Sequence, residues 1–188
     1  FYDHPEAVRT AIDFISETFL EMQEDLWRLI QPTNQRGGVL PWMMLWMPGK
    51  HGNQLACDLS SVLSPSIFRS FFIPSIRREG QWTAFGTYHL DGPACIRAHL
   101  DALLETDEIK AIEWTPGAGS PPASHPEYFP QYRRIQASGK RLILLAEIRE
   151  VETILSELSA RGLYIITRAD TEEEAKDLLR KVGSWTRS

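Results

Sequence analysis

The 188-residue chain is 43% hydrophobic and 24% charged, with a net charge of -5; these values suit one folded soluble domain spanning 1–188 and leave no tract polar enough for a long disordered arm. Its basic residues occur in isolated pairs such as Arg77-Arg78 and Arg133-Arg134, so no continuous positive stripe is present to displace counterions from a nucleic acid. Two cysteines outside any CxxC spacing argue against a disulfide framework and for a reducing compartment, the cytoplasm by default.

In chain order, the first element is a long helix. Val8, Ile12, Ile15, Phe19, Met22, Leu26 and Ile30 recur at steps of three and four, which places them on one helical face. Asp3 is the expected N-cap, with Pro5 and Glu6 in a first turn that tolerates a missing N–H and welcomes negative charge. "QPTNQRGG" (31–38) reads as a loop. The stretch "LPWMMLWMPGKHGN" follows, rich in Met and with Trp42 and Trp46. Its apolar run from Val39 to Pro48 is about half the roughly 20 residues a membrane span needs, so no membrane partner is expected. The stretch reads either as a pliable lid over a large flat ligand or as core packing.

After "PGKHGN" the pattern becomes repetitive. "QLACDLS" (54–60) leads to "SPSIFRSFFIPSIRRE", with Ser64 and Pro65 as an N-cap and N1 pair. "AFGTYHL" (84–90), "IKAIEW" (109–114), "RLILLAEI" (141–148) and "GLYIITR" (162–168) each precede a helical pattern in turn. Five β/α units with strands that lack strict polar alternation predict a parallel sheet. Gly139 and Gly162 fall after predicted helices, where a positive φ is wanted. Asp58, His89, Asp91, Glu113, Glu147, Arg168 and Asp170 fall at or just past the C-terminal ends of the strands, the face that carries the site in a (β/α) barrel. In "YHLDGP", His89 and Asp91 are i and i+2 on a strand and can point the same way; the alternative is a capping Asp91 and a His89 merely hydrogen-bonded. "WTPGAGSPP" reads as a plain β/α loop or as an anion-wrapping one. Cys57 and Cys95 read as small buried hydrophobes.

The segments "QLACDLSSVLSPSIFRSFFIPSIRR", "YHLDGP", "IEWTPGAG", "SGKRLIL" and "GLYIITRADTEEEAKDLL", in this order and spacing, resemble the uroporphyrinogen decarboxylase superfamily, which includes zinc-dependent corrinoid methyltransferases. The resemblance implies an α/β fold that is the C-terminal five β/α units of a TIM (β/α)8 barrel, the first three being absent, and a chain opening on Phe1 allows for a missing initiator segment. Decarboxylases of this kind bear their substrate acid and propionate-binding groups mainly in the N-terminal portion, so this chain alone is expected to be inactive. Asp58 stands where their substrate-facing Ser would be, and "IITRAD" lacks their late His. In the methyltransferases a His-x-Cys motif and a later Cys bind zinc; here His89-Leu90-Asp91 keeps the spacing, while the last strand offers Thr167, Arg168 and Ala169.

The resemblance therefore implies His89, Asp91 and Glu147 as ligands for zinc or another divalent ion. It gives Asp58 and Asp91 catalytic roles, with Tyr88, Glu113, Trp114 and Arg168 against substrate. Metal-dependent methyl transfer to a corrinoid or thiol acceptor is the first expectation and porphyrinogen decarboxylation the second. A non-catalytic half-barrel assembly module is the reading from another class. Five strands cannot close a barrel, so the expected partners are a missing N-terminal barrel portion or a second copy in a homodimer, and a corrinoid protein in the methyltransferase case.

Overall fold

The computed structural model describes residues 1–40 and 43–186; Trp42, part of the expected lid or core stretch, lies outside the described residues. The elements are α1 (Pro5–Ile30), β1 (Gly37–Leu40), β2 (Leu45–Pro48), β3 (Leu55–Ala56), α2 (Pro65–Ile67), α3 (Ile73–Trp82), β4 (Gly86–Asp91), α4 (Gly92–Leu104), β5 (Ile109–Thr115), α5 (Phe129–Ala137), β6 (Arg141–Leu145), α6 (Ile148–Glu157), β7 (Leu163–Ile166) and α7 (Glu172–Trp185). Strands β3 to β7 form one five-stranded parallel sheet in chain order, and β1 and β2 form a separate antiparallel pair. The fold is thus α/β, with a parallel sheet whose strands alternate with helices.

Strand alternation sends the two faces of this sheet to different surroundings. Tyr88 and Leu90 of β4, Ile112 and Trp114 of β5, and Leu142 and Leu144 of β6 enter one core with Ile76 of α3, Ile96 and Leu100 of α4, Tyr132 and Ile135 of α5, and Ile154 of α6. The helices therefore pack on a single face. On the other face, Ala111 and Ile143 join Leu40 and Met43, with Leu45, Met47 and Ile166 against them. The Met-rich stretch is thus a hairpin whose apolar side chains cover part of the second face, while Met44, at φ 44°, and Trp46 remain exposed on its outer side.

Several helix ends follow the sequence and three do not. Ser64 Oγ accepts the Ile67 N–H at 3.3 Å, Gly139 follows the α5 C-cap with φ 82°, and Thr171 Oγ1 accepts from the Glu174 N–H at 3.1 Å, all as local chemistry requires. Gly162, at φ 73°, lies instead in the turn before β7, since α6 ends at Glu157 with an extended Leu158 as its C-cap. At α1, however, His4 rather than Asp3 occupies the N-cap, and no side chain caps the helix. The expected strand 141–148 also stops at Leu145: Glu147 is the N-cap of α6 and Ile148 its first residue.

Between α2 and α3 the chain makes a π-helical turn over Phe68–Phe72. Its cause is Pro74, which has no N–H to return to the Ser70 carbonyl. Arg9 Nη1 donates to that oxygen instead at 2.5 Å, with its guanidinium 4.2 Å from the Phe71 ring centroid. This contact ties α1 to the helical layer.

Candidate active site

β4 and β5 pair in parallel with His89 opposite Glu113, so the two side chains emerge side by side on the face away from the helices. Glu113 is only 2% exposed. Its Oε1 accepts the Thr115 hydroxyl at 2.7 Å, and its Oε2 meets His89 Nδ1 in a short hydrogen bond. Because a carboxylate offers only acceptors, His89 must donate through Nδ1–H, which fixes the ring and leaves Nε2 directed away from Glu113. The His89 side chain retains 23% exposure. Its pKa is raised above the usual 6.5, chiefly by the hydrogen bond to Glu113; burial opposes the rise, and the charges of Glu113, Asp91 and Asp58 assist it. The site thus favours the protonated ring more than water does.

Asp91 ends β4 on the same face and occupies the N-cap position of α4 without making a side-chain cap bond. A Cβ at Gly117 would lie 3.6 Å from Asp91 Oδ1, and Gly117 has φ 79°; the β5–α5 loop therefore approaches the Asp91 carboxylate closely. Asp58 opens a 3-10 turn after β3 and lines a groove against α1 with Ile15, Phe19 and Phe72; its charge adds only weakly to the rise at His89.

The other candidates go elsewhere. Tyr88 and Trp114 are 1% and 0% exposed and lie in the core beneath the helices. The Trp114 ring centroid is 4.4 Å from that of Tyr128 and 5.5 Å from that of Tyr132. Their strand parity opposes that of His89, so these side chains cannot share its face. Glu147 pairs with Arg149 at 2.7 Å at the start of α6. Arg168 follows β7 and lines a different cavity.

This placement bears on the implied metal. Donors to one zinc ion each approach it to about 2 Å, yet β4 and β6 are two strand spacings apart, about 10 Å, which separates His89 and Asp91 from Glu147. Among the described residues no three His, Cys, Asp or Glu side chains are grouped to hold a metal ion. The expected set His89, Asp91 and Glu147 does not fit a zinc site built from this chain. The cysteines do not replace it: burial pushes the Cys57 thiol up to about 11 and also raises Cys95, opposite to what a thiolate ligand requires.

Two functional positions were not evident from the sequence. Thr115 reaches back to Glu113 because residues i and i+2 share a strand face, a signal that was present but unused. Glu150 is 7% exposed and accepts the Ser124 N–H at 2.9 Å and the Glu147 N–H at 2.7 Å, so it clamps the β5–α5 loop to the start of α6. No family model, curated protein or solved structure matches the chain. Among the described residues no helix is long and apolar enough to cross a membrane.

Proposed function

We propose that this chain forms the C-terminal five β/α units of a (β/α)8 barrel enzyme of the uroporphyrinogen decarboxylase type, with His89 as the proton donor at the barrel mouth. The strand order supports the barrel. In a doubly wound sheet the order reverses at a switch point and helices cover both faces, whereas here β3 to β7 follow one another with helices on one face. The open edges at β3 and β7 call for further strands, and α1 carries an uncovered apolar stripe that includes Ile15, Met22, Leu26 and Leu29.

The observation that carries the chemistry is the Thr115–Glu113–His89 chain. When a carboxylate leaves carbon as CO2, its bonding electron pair stays on that carbon, and the step is completed when a proton forms the new C–H bond. His89 Nε2–H supplies that proton, Glu113 stabilises the imidazolium beforehand, and solvent restores the proton afterwards. The charges of Asp91 and Asp58 add to that stabilisation.

Beside the acid that the resemblance puts in the absent N-terminal portion, decarboxylation can draw a proton from His89, whereas methyl transfer needs a metal group that the present residues do not assemble. The donor geometry thus favours the second expectation over the first. The groups that bind the substrate's carboxylates belong to the closing part of the barrel, and this chain is not sufficient alone.

The test uses the full barrel with uroporphyrinogen as substrate. His89→Gln lowers kcat by about 10²- to 10⁴-fold, the range for loss of a positioned acid, with KM little changed. Equal kcat in the two proteins would reject the reading.

A further inference from the structure

A cavity of about 790 Å³ lies at the β6–β7 rim and is lined by neither His89 nor Glu113. Its volume is in the range of small-molecule sites. The floor is apolar, formed by Leu145, Ala146 and Ile166, with Met44 of the hairpin at the lip.

Its charged lining is mostly committed. Glu147 pairs with Arg149, Glu150 accepts two backbone N–H groups, and Glu174 accepts the Asp170 N–H at 2.8 Å. Arg168 and the carboxylate of Asp170 remain, with no side-chain partner among the described residues. Among the described residues the cavity therefore presents one exposed cation and one exposed anion, neither with a side-chain partner, beside an apolar floor.

We propose that this cavity binds a small zwitterion with an apolar body, the chemistry of an apolar α-amino acid. The ligand carboxylate takes Arg168, the ammonium takes Asp170, and the hydrocarbon part covers Leu145 and Ile166. A simple anion would gain Arg168 but face Asp170. A simple cation would gain Asp170 but face Arg168. Only a dipolar ligand meets both free charges favourably, and guanidinium recognition of a carboxylate adds direction to that match.

The experiment titrates the chain with L-leucine by calorimetry and compares 4-methylpentanoate, which lacks the ammonium, and 3-methylbutylamine, which lacks the carboxylate. Saturable leucine binding is expected, with each analogue at least about tenfold weaker, and with Arg168→Gln and Asp170→Asn each reducing affinity about tenfold. His89→Gln leaves leucine affinity unchanged, which separates this site from the acid–base reading. Absence of saturable leucine binding up to about 10 mM, equal binding of either analogue, or full affinity in folded Arg168→Gln would overturn the proposal.

Discussion

Glu150→Ala removes the clamp between the β5–α5 loop and α6. The carboxylate is 7% exposed and accepts two backbone N–H groups, at 2.9 and 2.7 Å. A hydrogen bond to a charged acceptor contributes about 1.5–3 kcal/mol, and removing the side chain leaves both the Ser124 and Glu147 N–H groups without this acceptor. Deleting a buried charge recovers part of its desolvation, which brings the expected loss to about 3 kcal/mol. For a chain of this size that is a fall in Tm of about 6–12 °C. Glu150→Gln is intermediate, because its amide oxygen can keep one N–H while its NH₂ opposes the other. Thermal melts followed by circular dichroism measure the first quantity, and hydrogen exchange at the Ser124 and Glu147 amides reports the local opening. A Glu150→Ala protein that melts within about 1 °C of wild type, a shift well below the per-kcal scale, or that retains exchange protection at both amides, would refute the clamp.

Two further outcomes follow from the packing. Trp114→Ala destabilises by about 3–5 kcal/mol, as expected for a fully buried aromatic, without moving the His89 titration midpoint; a changed midpoint in a folded variant would place Trp114 at the site after all. Sedimentation velocity at micromolar concentration should show self-association through the open β3 and β7 edges and the α1 stripe, and a monodisperse monomer would contradict the need for closure.

The order of the five β/α units was legible because each strand is a short apolar run set off by local breakers: Ser64-Pro65 opens a helix, and Gly139 and Gly162 fall just before β6 and β7. The hairpin around Leu40 and Met43 was not legible as strands, since its Met and Trp residues carry little strand periodicity and its pairing depends on a turn. Strand parity decided the site. His89, Asp91 and Glu113 share one parity, and the sequence spacing of His89 and Asp91 showed half of this. The register that sets His89 opposite Glu113 belongs to the β4–β5 pairing, which no local pattern encodes. Tyr88 and Trp114 were expected against substrate, yet each directly adjoins a residue of the His89 face, Tyr88 beside His89 and Trp114 beside Glu113. On a strand, adjacency means opposite faces. Glu147 looked like the end of a strand because the apolar run continues through Ala146 to Ile148, but its backbone has already turned to begin α6.

The most direct test of the central claim follows the imidazole of His89 by NMR across pH, in wild type and in Glu113→Gln. Because the folded pKa is raised, the stability contributed by the pair is full below about 6.5 and is lost as pH rises through the His89 midpoint. The account predicts a wild-type midpoint above 6.5 that falls when Glu113 loses its charge, while the desolvation that lowers it remains. A wild-type midpoint below 6.5, or one that Glu113→Gln leaves in place, would contradict it.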